Sequence, residues 1–291
     1  MEIAKPHRGR FAPSPTGPLH LGSLLAAMGS WLMARQAGGQ WLIRIEDIDP
    51  PREIKGAATG HIEILKRFGM ESDLPIMWQS MRDERYREVL QKLIASGDAF
   101  ECFCSRKELI EHQGIHRECI TKNAEKKSAI RLRVPVVSVE LEDLIQGKFS
   151  QALGCEVGDF VIRRADGFWA YQLAVVVDDA DQGITHIVRG MDLLESTPRQ
   201  MYLQQRLGFS TPEYSHLPLV IDSFGNKLSK SLAAFPLDPN APIPAMRMIW
   251  KLLGQDAENW PSTDSPERLL LQSINRFDVT KIPRDSQMPT A

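Results

Sequence analysis

The sequence predicts an α/β protein built on a Rossmann-type core, and three observations lead there. Between Arg8 and Ile45 a short apolar strand, a Pro/Gly loop, a helix-period stretch and a second apolar strand follow one another. That is the pattern of a βαβ unit, whose crossover is right-handed. Strand-like runs return at Ile184–Arg189 and Leu217–Ile221, with a helical stretch over Leu194–Leu207 between them. Finally, a chain of 291 residues with 43% hydrophobic and 25% charged residues carries ample apolar surface for one large packed domain or two modest ones.

Each element has its own signal. Arg8–Ala12 reads as a strand, and Pro13, Pro15, Gly17 and Pro18 then impose an irregular loop. A helix is expected from near His20 to about Gln36, because Leu21, Leu24, Leu25, Met28, Trp31 and Leu32 recur at helical spacing. Gly38-Gly39 stops it, and Trp41–Ile45 is a buried-strand pattern. Glu53–Phe68 and Arg82–Ala95 read as amphipathic helices, Ile130–Val139 and Phe160–Arg164 as strands. Leu217–Ile221 closes in the turn Ser223-Phe224-Gly225-Asn226. A linker with Pro236, Pro239, Pro242 and Pro244 leads to two helices near Ala245–Leu253 and Pro266–Arg276, and the last residues read as a frayed polar end.

Composition excludes several classes of function. No apolar run approaches the ~18–20 residues that span a bilayer, and Met1–Arg10 lacks the apolar core of a signal peptide, so a cytoplasmic protein is expected. The net charge of −2 announces no global nucleic-acid field, although a local basic face is compatible with it.

Three stretches carry chemistry. In the first, Arg10 to Ser23, a strand end feeds a Pro/Gly loop that feeds a helix N-terminus. Free N–H groups and the helix dipole make that point an anion site. Gly22 lacks the Cβ that would keep a nucleotide off the backbone, and His20 is placed to donate to phosphate oxygens. In the second, Lys227-Leu228-Ser229-Lys230-Ser231, two lysines flank hydroxyls on a loop suited to closing over a triphosphate. In the third, Cys102, Cys104, His116 and Cys119 form a tetrahedral donor set suited to structural zinc, with His112 as the competing fourth ligand. Cys155 is isolated and reads as core, while His7, His61, His186 and His216 lack a partner motif and read as structural or surface residues. Arg163 and Arg164 read equally as RNA contacts or as a solvated strand end.

The first two strings resemble the HIGH-type and KMSKS-type signatures of class I aminoacyl-tRNA synthetases. Arg10–Gly22, Arg44-Ile45-Glu46-Asp47 and Val176-Val177-Asp178-Asp179 resemble, more narrowly, the glutamyl-tRNA synthetase catalytic domain, over about residues 8 to 253. The resemblance implies ATP-dependent formation of glutamyl-adenylate, with Mg²⁺ accompanying ATP. It assigns catalysis to His20 and Lys230, and ATP contacts to Pro13, His20, Gly22, Ser23, Lys227, Ser229 and Lys230. It assigns L-glutamate to Arg10, Ala12, Ser14, Glu46, Tyr171 and Arg189. Chemistry agrees with that set, since free glutamate needs a cation for its side-chain carboxylate and an anion for its ammonium. Arg189 suits the first and Glu46 the second. Three departures stand out: Ser23 replaces the closing His of the signature, Val175 a typical Asn, and Leu193 a typical Trp.

About 60 residues follow the lysine loop, too few for an anticodon-binding region of ~100–200 residues. That length, Ser23 and the cysteine insertion together resemble the glutamyl-queuosine tRNA(Asp) synthetase branch. The implied acceptor is then queuosine in the anticodon loop of tRNA(Asp), and the implied state a monomer. An ordinary glutamyl-tRNA synthetase and an inactive binding paralogue are the competing readings. The expected division is residues 1–96 for the first half of the core and 97–130 for a zinc-binding insertion. Residues 131–235 hold the rest of the insertion and the second half of the core with the lysine loop, and 236–291 the linker and C-terminal helices.

Overall fold

The structure, a computed structural model, describes residues 6–121, 126–222, 225 and 237–289. Its framework is a set of parallel strands. β1 (Arg8–Phe11) passes through α1 (Leu21–Gln36) to β2 (Gln40–Ile45), with Arg10 opposite Leu42. α1 is buried nearly all round, from Leu21 to Ala34, because its two faces meet the strands and the C-terminal helices. The single apolar stripe expected of an outer helix is therefore too narrow a description. Gly56, at φ 83°, sets the start of α2 (Ala57–Arg67), later than the amphipathic pattern suggests. β3 (Met77–Trp78) then adds in parallel to β2, and α3 (Asp83–Ala95) follows.

The next segment leaves this sheet. β4 (Ala99–Cys102) and β5 (Ala129–Leu132) pair antiparallel. The single strand expected over Ile130–Val139 is two, because Pro135 cannot donate to a ladder. β6 (Ser138–Asp143) starts beyond it and forms a hairpin with β7 (Gly147–Ala152). A short α4 (Leu153–Glu156) leads to β8 (Phe160–Arg163), which pairs with β5.

α5 (Tyr171–Asp181) returns the chain to the core and β9 (His186–Gly190). β9 lies beside β1, since the Thr185 N–H donates to the Arg8 carbonyl at 3.0 Å and the Arg8 N–H to Thr185 Oγ1 at 2.8 Å. α6 (Thr197–Leu207) precedes β10 (Glu213–Leu217), parallel to β9. The strand expected at Leu217–Ile221 thus lies earlier, and Val220 makes only an isolated bridge to Gln287. The strands stand in the order β3, β2, β1, β9, β10. Chain direction along the sheet reverses between β1 and β9, and ligands of open parallel sheets bind at such a switch point, beyond the strands' carboxyl ends.

α7 (Pro242–Leu252) and α8 (Pro266–Ile274) pack on α1. α7 takes in two prolines of the expected linker, as a first helical turn tolerates. Trp41, Met28, Leu32, Trp250 and Leu269 meet in this core, and each such side chain contributes roughly 1.5–3 kcal/mol on burial. A second apolar cluster joins α3, β5, β8, α5 and α6. The C-terminal residues are not frayed as far as Gln287, whose N–H donates to the Leu219 carbonyl at 2.7 Å. Among the described residues no helix is long and apolar enough to cross a membrane.

Candidate active site

The carboxyl ends of β1, β2, β9 and β10 open into a cleft of about 1380 Å³. Its walls include Arg10, Ala12, Ser14, His20, Gly22, Ser23, Glu46, Tyr171 and Arg189, residues that the sequence scatters over 180 positions. Pro13 lies on the same loop, and its carbonyl accepts from the Glu46 N–H at 3.0 Å, which ties the loop to the end of β2. His61, read from sequence as a structural or surface residue, braces the loop from α2 through a 2.7 Å bond from Nε2 to the Gly17 carbonyl.

His20 caps α1. Its Nδ1 accepts from the N–H groups of Gly22 at 3.1 Å and Ser23 at 3.3 Å. With Nδ1 accepting, the proton of a neutral ring sits on Nε2, which makes that nitrogen the donor. Gly22 has a second use: a Cβ there would stand 3.0 Å from Cε1 of the His20 ring. Lys227, Ser229 and Lys230 lie outside the described residues.

A buried charge cluster underlies the glutamate positions. Arg10 Nε donates to Asp179 Oδ1 at 3.1 Å, and Arg44 Nη1 to the same oxygen at 2.7 Å. Arg44 Nη2 reaches Glu46 at 3.3 Å. Two guanidinium groups and two carboxylates balance, which is what burial of charge requires. Burial pushes Asp179 up, but Arg10 and Arg44 outweigh it and hold the carboxyl below its ordinary range. Glu46 goes the other way: burial raises it against the pull of Arg44 and Arg10. Sequence reading quoted Asp179 only as part of a matching string. Its role as counter-ion to Arg10 depends on a contact across 169 residues.

Arg189 is buried and almost fully engaged. Nε donates to His216 Nε2 at 3.1 Å, Nη1 to Tyr171 Oη at 3.3 Å, and Nη2 to Thr197 Oγ1 at 2.7 Å and the Leu193 carbonyl at 3.4 Å. Leu193 therefore contributes its backbone carbonyl to the hold on Arg189. Val175 is buried in the second apolar cluster and does not line the cleft. Burial raises the Tyr171 hydroxyl, which stays neutral. The cleft continues past Arg164, which bonds to Asp49 at 3.1 Å, toward Arg106 and Cys104.

Cys102, Cys104, His116 and Cys119 meet with their ligand atoms within 4.8 Å of one another. This decides between the histidines, since His112 is outside the group. The donor set fits a metal ion. His116 Nδ1 bonds to Asp159 Oδ2 at 2.9 Å, which turns Nε2 toward the thiols as a ligating imidazole requires. Gly158, at φ 66°, permits the approach of this turn, because a Cβ would sit 2.1 Å from the His116 carbonyl. Burial, then Cys102 and Cys104, push the Cys119 thiol up to about 11, so a cation is what would hold the set deprotonated. Cys155, read from sequence as core, is exposed.

The family model for tRNA synthetases class I (E and Q), catalytic domain, matches residues 7–235. The glutamyl-Q tRNA(Asp) synthetase of Xanthomonas campestris pv. campestris (strain 8004) is 53% identical over 287 residues, covering 98% of this chain and 96% of that protein. The chain belongs to the glutamyl-Q tRNA(Asp) synthetase family of class I tRNA synthetases. A further relative of that name, from Pseudomonas putida (strain W619), is 46% identical over 97% of each chain. Among solved structures, a glutamate tRNA ligase from Elizabethkingia meningosepticum in complex with its amino acid superposes with a TM-score of 0.80 at 26% identity, covering 99% of this chain and 68% of that one. The glutamate-tRNA synthetase of Elizabethkingia anophelis gives 0.81 at 27%. In this family frame the chain's cleft occupies the catalytic domain that the family model describes.

Proposed function

We propose that this chain activates glutamate with ATP as glutamyl-adenylate and transfers the glutamyl group to the queuosine base at the wobble position of tRNA(Asp). The observation that carries the reading is the pairing of two buried arginines, Arg10 and Arg189, with Glu46 and Tyr171 in the same cleft as the His20-capped helix. Arg189 takes the side-chain carboxylate of glutamate, with Tyr171 beside it. Glu46 takes the ammonium, whose charge draws its raised carboxyl back toward the ionised state. Arg10, Ala12 and Ser14 complete the amino-acid site.

In the first step an oxygen of the glutamate α-carboxylate attacks the α-phosphorus of ATP, and pyrophosphate leaves. Pro13, Gly22 and Ser23 line the nucleotide's path, and His20 Nε2–H donates to the phosphates as charge builds there. Lys227, Ser229 and Lys230 act on the same phosphates, by their likeness to the KMSKS signature. Mg²⁺ enters with ATP as part of the substrate. In the second step a hydroxyl oxygen of the queuosine ring attacks the adenylate's carbonyl, an ester forms and AMP leaves. The reaction requires no side-chain nucleophile, so positioning and electrostatics carry the catalysis. The names of relatives at 46–53% identity support this acceptor. So does a cleft larger than the ~300–1,000 Å³ of ordinary small-molecule sites. Cys102, Cys104, His116 and Cys119 would hold a structural zinc ion that cross-links the insertion.

The purified chain is expected to catalyse glutamate-dependent ATP–pyrophosphate exchange without tRNA. Exchange that needs tRNA, or that runs equally with glutamine or aspartate, contradicts the proposal.

A further inference from the structure

His216 carries no sequence motif and is fully buried, yet the sheet register puts it directly opposite Arg189. Parallel partners in register present their side chains on the same face. Asp143 reaches it from the end of β6, because the hairpin turn docks on β10 through a 3.0 Å bond from the Leu144 N–H to the Tyr214 carbonyl. Asp143 Oδ2 lies 2.6 Å from His216 Nδ1, and Oδ1 accepts from the His216, Ile145 and Gln146 N–H groups. The carboxylate is thus held by the backbone and can only accept from the ring. Its side-chain partner Nδ1 must carry the proton, and Nε2 is left as a lone pair pointing at Arg189 Nε and Thr197 Oγ1.

That tautomer has a consequence for Arg189. A guanidinium donates through five N–H groups and accepts through none. Four bonds, to His216, Tyr171, Leu193 and Thr197, fix its plane and its rotation. Only the His216 bond holds Nε, and only an unprotonated Nε2 can make it. With the opposite tautomer a donor would face a donor, and Arg189 would have to turn.

We infer that Asp143 and His216 form a positioning pair that sets the orientation of Arg189 for the side-chain carboxylate of glutamate. The inference rests on the reading of Arg189 as the carboxylate's partner. Neither residue touches substrate; each acts through Arg189. The arrangement parallels the way a buried aspartate fixes a histidine's tautomer in hydrolase triads, with a guanidinium in place of the nucleophile.

The test is steady-state ATP–pyrophosphate exchange by the full chain, with KM measured separately for glutamate and ATP. Asp143→Asn keeps the shape but lets the amide donate to Nδ1, which moves the ring proton to Nε2. His216→Gln keeps an acceptor oxygen near Arg189 Nε, whereas His216→Leu does not. Asp143→Asn and His216→Leu are expected to raise the glutamate KM about tenfold or more, as for loss of a hydrogen bond to a charged group. The ATP KM should stay within about twofold, and His216→Gln should recover much of the loss. A merely structural role would move both KM values together or lower kcat alone, and either result overturns the inference, as does an unchanged glutamate KM. The substitutions change the one His216–Arg189 bond from two different residues, so one carries the test if another fails to fold. Absence of glutamate-dependent exchange in the unaltered chain overturns the functional reading and this inference with it. Exchange in the unaltered chain with an unshifted KM in the variants overturns the inference alone.

Discussion

At the scale of single residues, Gly22 does two jobs that separate experimentally. It sits inside the first turn of α1, where Ala is intrinsically better by about 0.5–1 kcal/mol. But an alanine Cβ would press on the His20 ring at 3.0 Å, and Nδ1 of that ring is already tied to two backbone N–H groups. Gly22→Ala is therefore expected to melt no lower than the parent while exchange falls about tenfold or more, the cost of displacing one preorganised donor. An unchanged rate would mean that His20 is not held for the phosphates. Most of the residues that the sequence singles out, Arg10, Ala12, Ser14, His20 and Glu46 among them, belong to short recognisable strings. The residues it passed over, Asp143, Thr197 and His216, belong to none. They support Arg189 from three different elements, and only strand register and hairpin docking bring them together. No local pattern encodes a contact across 73 residues such as His216 with Asp143.

The elements tell the same story through burial. α1, β1 and β2 were legible because an apolar strand, a Pro/Gly loop and helical spacing each leave a distinct periodicity. α5 was not, because every residue from Leu173 to Asp179 is buried and such a helix has no polar face to mark its period. The β6–β7 hairpin was missed for a different reason: the strand expected over Ile130–Val139 ran through Pro135 and took in the first residues of β6. The cysteine insertion was legible as a donor set, and only the fold brings His116, with its Asp159 partner, into the group and leaves His112 out of it. Cys119→Ser should abolish stoichiometric zinc in the purified protein and loosen this insertion, measured by metal analysis and by proteolysis. Parent protein that carries no zinc, or joins two of these thiols in a disulfide, would contradict the assignment.

Across the whole molecule, the switch between β1 and β9 places one cleft at the strand ends. The charged residues buried there fall into two groups with different tasks. Arg10, Arg44, Glu46 and Asp179 are bonded to one another, with Arg10 and Glu46 also facing the proposed amino-acid site, and Arg189 stands apart as a cation held by neutral or backbone acceptors. A cation without a carboxylate partner of its own among those bonds is what a glutamate side chain would complete. Where that glutamate goes is directly measurable. The most direct measurement incubates the chain with ATP, labelled glutamate and tRNA(Asp) with or without queuosine, then maps the labelled nucleotide. Label is expected on queuosine alone, and none on the queuosine-free tRNA. Label on the 3′-terminal adenosine, or equal labelling of both tRNAs, would contradict it.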